Sequence, residues 1–277
     1  MTRPQAEAGD AALLERIEAY CDAAPRAAAD VEQHGALTLF VSQIPWRFYG
    51  RPGLGLADDV GADDVAAVRA RQRELGVREA FEWVHETTPS LAGAAMAAGL
   101  DVRQAPLMSL NAEARAPAPA PDGVTVRMLG AEDPALAHAQ GAIELAFAAE
   151  GMGVGDAGPQ ERDLATSGLG DLTFLRDRLR GGLTAMAAAV TGSEGVLGAG
   201  SHQLVGDVAE VTGVGTLPAA RRRGIAAAVT ARLVQDAHDR GADVVFLSAA
   251  DDDVARMYRR LGFRRIGTAC FGQPRSA

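Results

Sequence analysis

The spacing of apolar and polar residues changes repeatedly along this chain, and each change marks an element. In the second half, Val124–Leu129 reads as a strand and Asp133–Glu150 as a helix, with Asp133 at the cap and Pro134 at the first position. A glycine-rich loop (Gly151–Gly158) and a short helix (Asp171–Leu179) follow. Leu183–Val190 and Val196–Val205 read as hairpin strands around Thr191-Gly192-Ser193-Glu194-Gly195. Next come a strand (Val208–Thr216), a helix (Arg223–Arg240), a strand (Val244–Ser248), a helix (Asp252–Leu261) and a last strand (Phe263–Phe271). The first half predicts a helix at Ala11–Cys21, a strand at Ala36–Val41, a helix at Ala62–Leu75 and a strand at Ala80–Val84. Between the halves, Glu113–Gly123 alternates Pro and Ala, a composition that favours extended polyproline II. The expected organisation is therefore two domains, 1–112 and 124–277, joined by a linker at 113–123.

The first half also holds a faint internal copy of the second. Val84–Leu100 can be laid over Leu247–Phe263 without gaps, so that Ala92 meets Ala255, Gly99 meets Gly262 and Leu100 meets Phe263. Ala95 stands where Tyr258 stands in the other copy.

Composition narrows the function classes. The 277 residues suffice for one large or two ordinary domains with a substantial core. A formal net charge of −9 argues against a nucleic-acid partner. No apolar run approaches a membrane span, Met1–Asp10 is polar, and the two cysteines, Cys21 and Cys270, form no C-x-x-C pair. These features predict a soluble cytoplasmic protein without a membrane partner. No His/Cys/carboxylate group has metal spacing, and His85-Glu86 is followed by Pro89 where a zinc helix would place His, so no metal is expected.

The most informative stretch is Leu217-Pro218-Ala219-Ala220-Arg221-Arg222-Arg223-Gly224-Ile225-Ala226, between a predicted strand and a predicted helix. A helix start presents unpaired N–H groups and the positive end of the dipole, which together make an anion cradle. The chain has no Lys, which excludes a Walker A loop, and Gly213-Val214-Gly215 lacks the third Gly of a dinucleotide fingerprint. What remains is V-x-T-x-P-x-x-R-x-x-G-x-A. Roughly thirty residues later comes Ala255-Arg256-Met257-Tyr258-Arg259-Arg260-Leu261-Gly262-Phe263.

This pair of motifs resembles the GNAT superfamily of acetyl-CoA-dependent N-acetyltransferases, over essentially all of 124–277. The resemblance implies a mixed α/β, acyl-CoA N-acyltransferase fold, in tandem with a degenerate, partial GNAT-like domain at 1–112. It implies that Arg221, Arg222, Arg223, Gly224, Ile225 and Ala226 hold the pyrophosphate of coenzyme A. It also implies that the pantetheine arm pairs with Val214 and Thr216 and passes towards Leu247 and Ser248. Tyr258 is the implied general acid for the leaving thiolate. Glu210, matched by spacing, is the implied base for the attacking amine. Where relatives often carry Asn, this chain has Asp252, which reads as a helix cap.

Other readings stand beside these. Val254, Met257, Tyr258 and Leu261 follow an apolar helical spacing, so Tyr258 also reads as a core aromatic. Glu210 also reads as a structural strand carboxylate. His202 reads either as structural or as facing the acceptor. Trp46, Phe48, Tyr49 and Trp83 read as core or as the wall of a cleft. The expected activity is transfer of an acetyl group from acetyl-CoA to a small-molecule or peptide amine; the alternative is a non-catalytic acetyl-CoA sensor. Acceptor specificity is expected in the loop Ala149–Leu172 and the last strands. The acceptor's identity and a homodimer are both left open.

Overall fold

The computed structural model describes residues 3–42, 49–56, 59–111, 118–149 and 152–275. Trp46, Arg47, Phe48 and linker positions 113–117 lie outside them. The chain forms two compact units: one takes residues 1–108, 248–255 and 265–277, the other 109–247 and 256–264.

The first unit contains α1 (Arg3–Arg26), β1 (Ala29–His34), β2 (Leu37–Ser42), β3 (Gly50–Pro52), α2 (Ala62–Glu74), β4 (Phe81–Val84), α3 (Ser90–Ala97) and most of β5 (Leu100–Asn111). The second holds β6 (Thr125–Leu129), α4 (Leu136–Ala148), α5 (Pro159–Gly168), α6 (Thr173–Arg180), β7 (Ala185–Thr191), β8 (Gly195–Val205), β9 (Val208–Thr216), α7 (Ile225–Asp239) and all of β10 (Val244–Ser248) but its last residue. Then come α8 (Asp252–Arg260), which straddles the division, and β11 (Arg264–Pro274).

In the first unit the strands run in the order β1-β2-β3-β4-β11-β5. β3 and β4 are parallel, and β11 pairs antiparallel with β4 from Ala269↔Val84 to Gly272↔Phe81. The last strand of the chain thus completes the sheet of the first unit, a placement that differs from a single domain spanning 124–277. Backbone pairing is blind to sequence distance, and Cys270 and Trp83 are buried in one core with Leu37, Val65, Phe81, Leu91 and Leu100. Trp83 is therefore a core residue. Tyr49 packs edge-on to Phe40 at 6.3 Å.

The second unit carries the order β10-β9-β8-β7-β6, antiparallel except for β9 and β10. Helix α7 covers one face and α4 the other. A Cβ on Gly198 would lie 2.8 Å from the Ile225 side chain of α7, and one on Gly215 would lie 2.9 Å from Ala146 of α4. Only Gly at these two strand positions lets the helices approach so closely.

Most boundaries lie within three residues of the sequence reading. Three elements escaped it. β1 is half-exposed and mostly polar, β3 has three residues, and α5 (PQERDLATSG) has no continuous apolar stripe. Helix α5 is held instead by the buried Arg162, whose guanidinium donates to the carbonyls of Glu194 and Val196 at 2.7 and 2.6 Å. Asp133 does not cap α4 directly. The helix starts at Leu136, and Asp133 accepts the Ala135 N–H at 2.9 Å while pairing with Arg127.

Candidate functional site

Two local features of the second unit make a site. The first is the parting of β9 from β10. Their parallel register runs from Val208↔Val244 to Glu210↔Phe246. Beyond that pair, β9 continues to Thr216 and β10 to Ser248, with no further register between them among the described residues. The cause lies on the opposite edge of β9. Its register with β8 jumps between Ala199↔Gly215 and Ser201↔Thr212, so Gly213 and Val214 face the single residue Gly200. Gly213 has φ +62°, the left-handed geometry of a glycine bulge, and a bulge bends the strand that carries it.

The second feature is the entry to α7. After a 3-10 turn at Pro218–Ala220, Arg222 and Gly224 both adopt left-handed φ, +64° and +83°. The first helical bond runs from the Ala228 N–H to the Gly224 carbonyl at 3.1 Å. The N–H groups of Ile225, Ala226 and Ala227 therefore precede the ladder and gather at the positive end of the helix dipole. Arg222, Arg223 and Gly224 are exposed, while Ile225 is buried. Such N–H groups can hold an anion, and the buried Thr216 hydroxyl just before them makes no hydrogen bond.

Strand alternation places Glu210 and Thr212 on the α4 face, opposite His202 on the α7 face. Ser201 shares the α4 face, its hydroxyl 3.0 Å from that of Thr212. Gln203, opposite Glu210 in the register, accepts a hydrogen bond from the buried Arg178 at 2.8 Å. Glu210 is half-buried at the last paired position, where β9 and β10 begin to diverge.

Tyr258 lies on α8, 7% exposed, with its ring edge-on to Phe263 at 5.7 Å. Burial pushes its phenol up to about 12, opposed by a hydrogen bond with Thr230. The Thr230 hydroxyl donates to the Ala226 carbonyl at 2.8 Å. Tyr258 is thereby linked through Thr230 to the first turn of α7.

The sequence and the fold have counterparts. Residues 160–263 match the model of the Acetyltransferase (GNAT) family. The match places a GNAT acetyltransferase domain at 160–263. Among solved structures, a GCN5-related N-acetyltransferase from Kribbella flavida superposes with a TM-score of 0.71 at 22% identity, covering 95% of this chain and 96% of that one. A second, from Sphaerobacter thermophilus, gives 0.55 at 22% identity over 86% and 76% of the two chains. A tandem GNAT protein from the clavulanic acid biosynthesis pathway gives 0.55 at 16% identity over 85% and 77%. These likenesses establish the fold. No curated protein matches the chain.

Arg221 and Asp252 are placed differently from the sequence reading, and His202 takes one of its two readings. Arg221 turns away from solvent and is 9% exposed; its guanidinium donates to the carbonyls of Gly153 and Ala146, each at 3.0 Å. Asp252 is the first residue of α8, and the cap is Asp251, whose carboxylate accepts the Val254 N–H at 2.8 Å. His202 is buried, with Nε2 2.8 Å from Asp236 on α7, which also accepts from Arg240. Burial lowers its pKa, against the pull of Asp236. That position fits a structural residue.

Sequence reasoning missed Thr230 and the bulge at Gly213. Thr230 was legible only as four residues beyond Ala226, one turn along the same helix face.

The internal copy is visible as repeated geometry: β4-α3-β5 and β10-α8-β11 share one order, and the aligned Gly99 and Gly262 both have left-handed φ. In the first unit, however, the entry to α2 is filled from within. The Asp64 carboxylate accepts the Gly61 N–H at 3.0 Å, with Asp63 beside it in the first turn. Among the described residues no group of three or more His, Cys, Asp or Glu could hold a metal ion, and no helix is long and apolar enough to cross a membrane.

Proposed function

We propose that this protein is an acetyl-CoA-dependent N-acetyltransferase that transfers the acetyl group directly from the thioester to an amine. The observation that carries the reading is the parting of β9 from β10 past Glu210, on a strand that leads into the N–H cradle of α7. The donor fits this chain as follows. The N–H groups of Ile225–Ala227 bind the pyrophosphate, Arg222 and Arg223 add charge at the rim, and the edge of β9 at Val214 and Thr216 orients the arm. When bound, coenzyme A supplies a thioester activated towards amines.

Glu210 accepts the proton that the attacking amine sheds, since a protonated amine is not a nucleophile. The new C–N bond forms as the C–S bond breaks. Tyr258 holds the proton for the departing thiolate; a phenol is protonated at neutral pH, and burial pushes this one further up. One observation favours a second reading, a non-catalytic acetyl-CoA-binding protein: Tyr258 is buried and lies beside Thr230, as a core aromatic would.

The test is calorimetry with acetyl-CoA followed by thiol release with a panel of an aliphatic monoamine, a polyamine, an amino sugar and a peptide α-amine. One coenzyme per chain and turnover with a member of the panel support the enzyme. Binding without turnover favours the second reading, and two equivalent sites per chain contradict the filled entry to α2.

A further inference from the structure

Arg221 was expected among the phosphate ligands, yet its side chain is buried and engaged on the other side of the loop. The segment Pro218–Arg221 is bonded once to the end of α4 and three times to the connection between α4 and α5. Arg221 donates to the carbonyls of Ala146, in the last turn of α4, and Gly153, both at 3.0 Å. The Gly155 N–H donates to the Pro218 carbonyl at 3.2 Å, and the Ala219 N–H to the Ala157 carbonyl at 2.9 Å. The fit is close, since a Cβ on Gly155 would lie 3.1 Å from Cβ of Pro218.

Helix α4 covers the sheet face on which Glu210, Thr212 and Ser201 lie, and its last turn, with residues 152–157, forms the rim of that cover beside the coenzyme loop. The same short segment thus carries the phosphate cradle forwards and the rim of the acceptor face backwards.

We infer that Arg221 is a positioning residue that fixes the acceptor rim to the coenzyme loop, and is not a phosphate ligand. This rests on the proposed function for its catalytic meaning, though not for its structural part. A planar guanidinium reaches two carbonyls at once with separate N–H groups. An ammonium is a single point charge and cannot span both in the same way.

The experiment compares Arg221→Gln and Arg221→Lys with the unsubstituted protein. Hydrogen exchange is measured without ligand, and binding is measured for acetyl-CoA and for S-acetylpantetheine, which lacks the pyrophosphate. Both variants are expected to exchange the Gly155 and Ala219 amides at least tenfold faster while the β7–β8 amides keep their rates. Acetyl-CoA affinity should stay within threefold. With the fastest amine of the panel, acceptor KM should rise about tenfold at a kcat within threefold.

The inference is overturned by a tenfold or greater loss of acetyl-CoA affinity with S-acetylpantetheine affinity and amide exchange unchanged, which is the behaviour of a phosphate ligand. It is also overturned if Lys restores normal exchange, or if exchange rises throughout the second unit. Should the Gln variant fail to fold, the Lys variant carries the same readouts; failure of both overturns the inference in favour of a fold-wide role. Absence of acetyl-CoA binding in the unsubstituted protein would defeat the proposed function while leaving the exchange result to decide the strut.

Discussion

Gly224 offers the sharpest test of the coenzyme cradle. Its φ of +83° is a region that costs an ordinary residue roughly 1–2 kcal/mol. Space is not the obstacle, because an added Cβ would meet only Pro121 Cγ, at 3.9 Å. A substitution therefore either endures the strained conformation or escapes it by rotating the Gly224–Ile225 peptide and its N–H out of the cradle. Asn tolerates the left-handed region, Ala less so, and a β-branched residue least. Acetyl-CoA affinity should accordingly fall in the order Gly, Asn, Ala, Val at position 224. Gly224→Val should lose about 3 kcal/mol or more, more than a hundredfold in Kd, if two charge-assisted hydrogen bonds are given up. Gly224→Asn should lose well under about 1 kcal/mol by the same reasoning. Calorimetry gives the affinities. Thermal melts check the fold, where each ~1 kcal/mol of strain lowers Tm by about 2–4 °C. A folded Gly224→Val protein with unchanged affinity would refute the assignment of the cradle. Equal losses for Asn and Val would refute the backbone argument, leaving side-chain bulk as the cause.

Two further outcomes follow from buried groups. Tyr258→Phe should lower kcat by about 10²–10⁴-fold with little change in acetyl-CoA affinity, because the ring still packs and only the proton donor is lost; unchanged turnover would make Tyr258 a core residue bonded to Thr230. Burial lowers the pKa of His202 below its usual 6.5, so the unfolded state binds the proton more readily and native stability falls as the medium becomes more acidic than that. Melts between about pH 5 and pH 8 should show this slope in the parent and a flatter one in His202→Gln; equal slopes would remove His202 as the cause.

Much of this protein was legible in the linear chain. The ends of β9 and β10 were read to the residue, and α7 within two, because strand alternation, a stretch of Gly and Pro, and an amphipathic helix follow one another without conflict. The motif around Gly224 located the cradle because a left-handed turn before a helix has few sequence solutions. The proposed catalytic pair could be named but not weighed: the spacing that would mark Tyr258 as an acid also marks it as core, and the tertiary structure adds that its ring is buried on α8 against Phe263 and beside Thr230.

Other features are set by contacts between residues far apart in the chain. Helix α5 has no apolar stripe of its own and relies on Arg162 reaching the carbonyls of Glu194 and Val196. β11 joins β4 although 185 to 191 residues separate their paired positions, since pairing depends on exposed backbone edges and shared burial. Arg221, Arg222 and Arg223 are identical letters, yet one is buried against two carbonyls and two are exposed. A side chain's direction is fixed by its backbone dihedrals and by the acceptors that tertiary packing brings within reach. The linear pattern could name the loop, but only the folded chain could assign each arginine its work.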